Sequence, residues 1–400
     1  MMRVFQTDSH RLAAGPVNQA TISQAAPVGN DLTLPRLLTP GPMALSDTVK
    51  FPMLTDLGSR GAEIRRLTAE VRSMLAAIAN GGDSHETVLV QGSGTFAIEA
   101  AIGTFCRISS RVLVIVNGIY GLRAVRILRL LGIPCETITC AANICPDIEA
   151  IAERLRSGSE FTHMFFVHCE TTTGILNPLK SLCALARMHG VTTIVDAMSS
   201  YGGHPIDMQR DHIDVLVSSG NKCVESPPGI AFVIAPRELL EGAEGNNRSF
   251  CLDLHDQWRG FDRDGEWRCT PPTHILQALH AALLRLHEET IQGRLRRYER
   301  VRERVTSGLT ALGFVPVVKK QHRAIACIAF SHPEWRGHEA EAFARYCDAL
   351  QSEKLHIYTK LHQPTSSFRV GCMGAIKDHW IDALIEVTAD HMKFTEVFKR

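Results

Sequence analysis

Between residues 87 and 235 the chain alternates short apolar runs with amphipathic stretches, and this alternation restricts the possible folds more than any other feature. The runs lie at 87–90, 111–116, 135–139, 162–168, 194–196 and 215–219, and the last two, which lead into charged residues, are rich in Val, Ile and Leu. Runs of that length without polar alternation read as strands buried on both faces, the habit of a parallel sheet. Between them, helical spacing of apolar residues appears at 96–105, in a stretch ending at 131, from Pro146 onward and at 179–189. A helix at 63–80 precedes them, with Ile64, Leu67, Val71, Leu75 and Ile78 on one face and Gly81-Gly82 as its stop. Strand and helix in strict alternation imply right-handed parallel crossovers, so the fold class is α/β with a doubly wound, mostly parallel sheet. The run at 229–235 follows its predecessor too closely for a crossover helix and is expected to pair antiparallel. Long helical patterns at 274–292 and 295–312 then lead into strands near 314–318, 324–330 and 367–371, with helices at 338–353 and from 378. Three parts are therefore expected: a flexible extension over 1–35, a large α/β domain over 36–292 and a small α+β domain over 293–400.

Composition narrows the partners. The 43 basic residues against 42 acidic leave no field to attract nucleic acid or an anionic membrane, and a small molecule is the default ligand. No apolar run approaches the roughly eighteen residues that would span a bilayer. The first thirty or so residues lack the apolar core of a secretory signal. Twelve cysteines are scattered without a repeated short spacing, and Cys140 and Cys145 lack a matching second pair or a histidine partner. They read as free thiols of a reducing compartment, with no zinc site, and a cytoplasmic location is expected.

The chemistry should sit where strands end, because ligands of open α/β sheets bind at the carboxyl ends. The 194–196 run ends in Asp196 and the 215–219 run leads into Gly220-Asn221-Lys222. A desolvated lysine there has a lowered pKa and suits a Schiff base, while an aspartate on a neighbouring strand can hold a pyridinium nitrogen. A single Asp and Lys near strand ends are more often a surface pair or a cap. The 87–90 strand runs into Gln91-Gly92-Ser93-Gly94-Thr95 and then a helix, a turn that exposes backbone N–H groups at a positive dipole end. Such a turn alone is structural more often than it binds phosphate. In Phe368-Arg369-Val370-Gly371 an arginine interrupts an apolar strand, where an unpaired charge is costly and a salt bridge or a bound anion would explain it. The stretch 248–273, with Trp258 and Trp267 among many polar residues, looks too polar and aromatic for ordinary core.

Taken together, Val195-Asp196-Ala197-Met198-Ser199-Ser200, Ser219-Gly220-Asn221-Lys222-Cys223, the Ser93-Gly94-Thr95 turn, Asn117-Gly118-Ile119-Tyr120-Gly121 and Glu170-Thr171-Thr172-Thr173-Gly174 resemble the class V aminotransferases among the fold-type I pyridoxal phosphate enzymes. The motifs occur in the family's order from about Leu37 to the C-terminus. The resemblance implies pyridoxal 5'-phosphate on Lys222, its ring nitrogen on Asp196, its phosphate on Ser93, Gly94 and Thr95, and Tyr120 stacked on the ring. It further implies Thr171 at the ring hydroxyl, Asn221 beside the lysine, and Arg369 on the substrate carboxylate through two parallel hydrogen bonds. Leu37 to Pro42 would line the entrance. Thr270 and Thr273 would reach the phosphate of a partner subunit, so a homodimer is implied. The implied reaction moves an amino group from 2-aminoethylphosphonate to pyruvate, a step of phosphonate metabolism, with an alanine–glyoxylate or serine–pyruvate type transaminase as the alternative. Two departures from the family pattern, at residues 59–64 and at Cys372-Met373, bear on the donor. A cysteine-desulfurase-like lyase fits less well, since Cys347 falls in a helical pattern and Tyr120 stands where that class stacks a histidine. A pyridoxal phosphate-binding regulator would carry an added DNA-binding module.

Overall fold

A computed structural model describes residues 34–157, 160–362 and 365–397, with side chains described to residue 393. The extension expected over residues 1–35 lies outside these, apart from Leu34 and Pro35. The sheet that organises the molecule has seven strands in the order β2-β10-β9-β8-β5-β3-β4. They are β2 (His85–Gly92), β3 (Val112–Val116), β4 (Cys135–Thr139), β5 (His163–Val167), β8 (Thr192–Asp196), β9 (Val215–Ser219) and β10 (Gly229–Pro236). Every residue of β3 and of β9 is buried, as continuous apolar runs require in a sheet covered on both faces. The pairs β3–β4, β3–β5, β5–β8 and β8–β9 are parallel, while β10 is antiparallel to both β9 and β2. The mostly parallel, doubly wound reading holds, including the reversed strand.

Helices fall where the apolar period predicts, with boundaries set by local chemistry. After α1 (Asp47–Lys50), α2 (Ala62–Ile78) buries Ile64, Leu67, Val71 and Leu75 along one face. The covering helices are α3 (Gly94–Phe105), α4 (Ile119–Leu130), α5 (Ile148–Arg156) and α6 (Leu179–Met188). The start expected at Pro146 is displaced: Asp147 caps α5 by accepting from the N–H groups of Glu149 and Ala150 at 3.0 and 3.3 Å. Between β5 and α6, β6 (Cys169–Glu170) and β7 (Ile175–Leu176) form a small hairpin around the threonine turn.

The stretch 248–273 departs from the sequence reading. Following α7 (Arg237–Glu241), α8 (Leu254–Asp264) carries Leu254, Trp258 and Phe261 into the main core, where Trp267 joins them. The Trp267 indole donates to Thr68 Oγ1 at 3.0 Å. An apolar face is present at helical spacing, but the charges on the other face obscure it in the sequence.

Two long helices, α9 (Thr273–Glu289) and α10 (Ile291–Ala311), meet at Thr290, whose φ of 65° breaks what would otherwise be one rod. Beyond them lie a three-stranded antiparallel sheet of β11 (Val315–Pro316), β12 (Cys327–Ser331) and β14 (Phe368–Gly371), with α11 (Glu339–Ser352) and α12 (Asp378–Val397). Their core is aromatic: Phe314, Phe330, Trp335, Tyr346 and Phe368 pack together. The chain's opening segment joins this core. β1 (Arg36–Leu37) pairs in parallel with β13 (Leu355–His356), and Leu38 is buried among the same aromatics. These two-residue strands have no period that could reveal them in a sequence. The described residues from Arg36 onward form one compact unit.

Candidate active site

The carboxyl ends of β5, β8 and β9 and the turn after β2 enclose a cavity of about 200 Å3. Seven of the expected residues line it: Ser93, Gly94, Thr95, Tyr120, Asp196, Asn221 and Lys222. Each is placed by backbone geometry. Ser93 stands at the N-cap of α3 without using its side chain as a cap, which leaves the first N–H groups of that 12-residue helix to the cavity. A side chain on Gly94 would meet Met198 Sδ, so the Met198 side chain packs directly over this turn. Tyr120 opens α4 after β3, and its N–H donates to Glu170 Oε2 at 3.3 Å.

Asp196 ends β8 almost wholly out of water. Its Oδ1 accepts the Met198 N–H at 3.0 Å, and among the described residues it forms no ion pair. Burial pushes its pKa up to about 6, opposed by that hydrogen bond and by the Arg123 and Lys222 cations. Lys222 projects from the loop after β9, and burial lowers its ammonium pKa, against the neighbouring thiols and Asp196. Its Nζ donates to the Pro40 carbonyl at 2.7 Å. The entrance segment thus reaches the lysine itself: a methyl group on Gly41 would lie 2.5 Å from Nζ. Ser219 Oγ donates to Asn221 Oδ1 at 2.9 Å and fixes the amide just before the lysine.

Thr171 and Arg369 stand together beside the cavity. Arg369 Nη1 donates to the Thr171 carbonyl at 3.1 Å, its guanidinium lies 4.9 Å from the Tyr358 ring centroid, and its buried Nε has no hydrogen-bond partner among the described residues. The Tyr358 hydroxyl in turn donates to the Gly41 carbonyl. Glu170, next to Thr171, is fully buried; desolvation raises its carboxyl to about 7, opposed by the Thr172 hydroxyl and N–H. In the single chain Thr270 and Thr273 stay apart from this cavity. Thr270 is exposed, its carbonyl accepting from Gln91 Nε2 at 2.7 Å, and Thr273 is buried at the start of α9.

Several site residues escaped the sequence reading. Arg123 lines the cavity, donates to Thr95 Oγ1 at 2.9 Å and lies 4.9 Å from the Tyr120 ring centroid. Its position one helical turn after Tyr120 was the available signal. Met198 and Ser199 line the cavity because the chain turns back immediately after Asp196. Tyr358 follows a two-residue strand and had no signal. Of the two departures, Cys372 and Met373 are fully buried: Cys372 joins the aromatic core, and Met373 packs against the lysine loop, its Sδ 3.8 Å from Cys223 Sγ. Arg60 and Arg65 pair with Glu266 at the surface.

A half-buried lysine and a buried aspartate at adjacent strand ends share one cavity with the start of α3, the arrangement that the resemblance to the aminotransferases implies. Residues 54–351 match the family described as aminotransferase class-V, and the chain belongs to that family. It is 42% identical over 346 residues to the 2-aminoethylphosphonate–pyruvate transaminase of Burkholderia thailandensis, covering 86% of this chain and 93% of that protein. With the protein of the same name from Pseudomonas putida it shares 36% identity over 364 residues, 91% and 98% of the two lengths. Among solved structures, an alanine–glyoxylate aminotransferase from Nostoc superposes with a TM-score of 0.83 at 24% identity over 94% of this chain and all of that one. A pyridoxamine–pyruvate aminotransferase from Mesorhizobium loti gives 0.82 at 21% identity, over 92% and 94%. At those identities the structures establish the common fold.

Proposed function

We propose that this protein transfers the amino group of 2-aminoethylphosphonate to pyruvate, giving phosphonoacetaldehyde and alanine, with pyridoxal phosphate held by Lys222. The observation that carries the reading is the meeting of Lys222, Asp196 and the Ser93-Gly94-Thr95 helix start in one cavity, in a chain 42% identical to a transaminase of that name. The residues fit the cofactor. Asp196 is a buried carboxylate in want of a cation, which a protonated ring nitrogen would supply. The helix start offers N–H donors to a phosphate, and Arg123 adds a cation at Thr95. Tyr120, held at its own N–H by Glu170, forms a wall for a planar ring. When bound, the cofactor supplies the aldehyde that takes up the amino group and the ring that accepts the electron pair.

The protein's part is binding, orientation and proton transfer. Asp196 would hold the ring nitrogen in its protonated form. Lys222, once the donor amine had taken its place, would take the proton from the donor carbon that carries nitrogen, and burial, by lowering its pKa, favours the free base that this role needs. Arg369, held by the Thr171 carbonyl and lying against the Tyr358 ring, is assigned to the substrate anion. One guanidinium serves a planar carboxylate and a tetrahedral phosphonate in alternate half-reactions through its fork of donors. Thr171 is assigned to the ring hydroxyl, and Thr270 and Thr273 to the phosphate of a partner copy in a homodimer.

Borohydride reduction of the loaded enzyme followed by peptide mapping is expected to place the pyridoxyl group on Lys222; an adduct on another lysine overturns the assignment. A donor panel followed by loss of visible absorbance tests the substrate. Conversion by alanine or serine but not by 2-aminoethylphosphonate replaces the phosphonate reading with an alanine–glyoxylate or serine–pyruvate type enzyme.

A further inference from the structure

We propose that Arg297 is a positioning residue that fixes the Lys222 loop against the Arg369 strand. Its one planar group ties three distant segments. Nη2 donates to Glu225 Oε1 at 2.8 Å, three residues after Lys222. Nη1 donates to the Gly374 carbonyl at 2.8 Å, five residues after Arg369. Nε and Nη2 donate to the two oxygens of Glu289, at 2.6 and 2.9 Å, where α9 ends. The group that would carry the cofactor and the group that would bind substrate thus share one bracket, anchored on the joint between the two long helices. The inference rests on the functional reading of Lys222 and Arg369.

The surroundings show that this bracket is built rather than incidental. Arg294, fully buried one turn earlier, donates to the carbonyls of Cys223 and Val224 at 2.8 and 3.2 Å and to Glu289 at 2.7 Å. The loop after Lys222 is therefore held through its own backbone. Glu225 is buried with φ at +64°, a left-handed conformation that costs a non-glycine residue energy and persists only when neighbours enforce it. Its N–H donates to the Lys222 carbonyl at 2.8 Å, and its carboxylate is held by Arg297 and by the Tyr298 hydroxyl, which donates to Glu225 Oε1 at 2.5 Å. Two carboxylates face two guanidiniums, so the cluster is neutral. Burial opposes the charge on Glu289, but the two arginines outweigh it and hold its carboxyl at about 2. Lysine preserves the charge but not the fork, and a single ammonium cannot bridge Glu225, Glu289 and the Gly374 carbonyl together.

The test compares Arg297→Lys with wild type by pyridoxal phosphate titration of the apoenzyme, by KM for pyruvate and by thermal midpoint. Arg304→Lys, on the same helix but paired with Asp378 and Asp382, is the control for a stability effect alone. Arg297→Lys is expected to raise both the cofactor Kd and the pyruvate KM about tenfold, or ~1.4 kcal/mol each. In an Arg369→Lys background its effect on KM shrinks to below about threefold, because the group it positions has already changed. If Arg297→Lys does not fold, Tyr298→Phe removes one bond to Glu225 and is expected to move the same two constants by a smaller factor. A lowered thermal midpoint with Kd and KM within twofold of wild type overturns the proposal, as does a KM penalty unchanged in the Arg369→Lys background. Wild-type enzyme that carries no adduct on Lys222 removes the functional reading and this inference with it, a failure visible before any variant is made.

Discussion

Asp196→Asn should make the cofactor-free protein more stable while disabling it as an enzyme. The carboxyl is buried, and its pKa in the fold is about 6 against an ordinary 3.8, with desolvation as the main cause. A raised carboxyl pKa means that the folded state binds the proton more tightly than the unfolded chain does. Stability therefore falls as pH rises from about 4 to about 6, and the whole penalty is present above that window. Roughly two pKa units correspond to about 3 kcal/mol. Asparagine has nearly the same shape, its Oδ1 can still accept the Met198 N–H, and it cannot ionise. Urea unfolding of both apoproteins at equal concentration should show the variant more stable by about 3 kcal/mol at pH 8, the difference shrinking to near zero at pH 4. His168 and His204, whose pKa values burial lowers to about 3 and about 4, make acid destabilising in both proteins and cancel in the comparison. Pyridoxal phosphate should reverse the order at pH 8, because only the wild-type carboxylate gains a cationic partner in the ring nitrogen. A stability difference that is independent of pH, or a variant less stable than wild type at pH 8, would refute the claim that Asp196 is a charge buried in advance of its ligand.

The sequence revealed most where one period governed a long stretch or where chemistry fell at a strand end. The seven main strands, the reversal at β10 and the four helices covering the sheet between β2 and β8 follow from apolar runs and connection lengths. The cavity residues were found because a strand that ends on a charged or small residue delivers it to one edge of the sheet. What escaped depends on contacts between parts far apart in the chain. The Pro40 carbonyl meets Lys222 in a segment that enters through the β1–β13 pairing, and Tyr358 meets Arg369 from the loop after β13. A side chain on Gly371 would strike the Thr39 backbone, so β14 and the entrance segment touch main chain to main chain. The burial of Trp258 is concealed by charge density on the outer face of α8, and that of Trp267 by the polar loop in which it sits. The ion-paired bracket around Glu225 is similarly hidden, since Arg294 and Arg297 look like surface arginines of a charged helix until α10 is docked.

Two further outcomes follow from the site. Arg369→Ala should raise KM for pyruvate and for 2-aminoethylphosphonate together, roughly 10- to 100-fold for a charge-assisted hydrogen bond, with Arg369→Lys restoring only part; steady-state kinetics with each substrate varied would show it, and a change for one substrate alone would contradict a shared anion site. Gly41→Ala separates the lysine's setting from the stability of the fold. Gly41 and Gly61 have nearly the same φ, +116° and +118°, so an alanine at either position should cost about 1–3 kcal/mol of backbone strain. Around Gly61 nothing lies within 4 Å of the added carbon, whereas at Gly41 that carbon would sit 2.5 Å from Lys222 Nζ. The obstructed atom is the tip of a flexible side chain, so Lys222 can swing away from the Pro40 carbonyl and the fold survives. Both variants should therefore lose similar stability in urea, while only Gly41→Ala weakens pyridoxal phosphate binding and slows borohydride-trapped labelling of Lys222. Equal labelling of the two variants would mean that the Pro40–Gly41 segment does not set the position of the lysine.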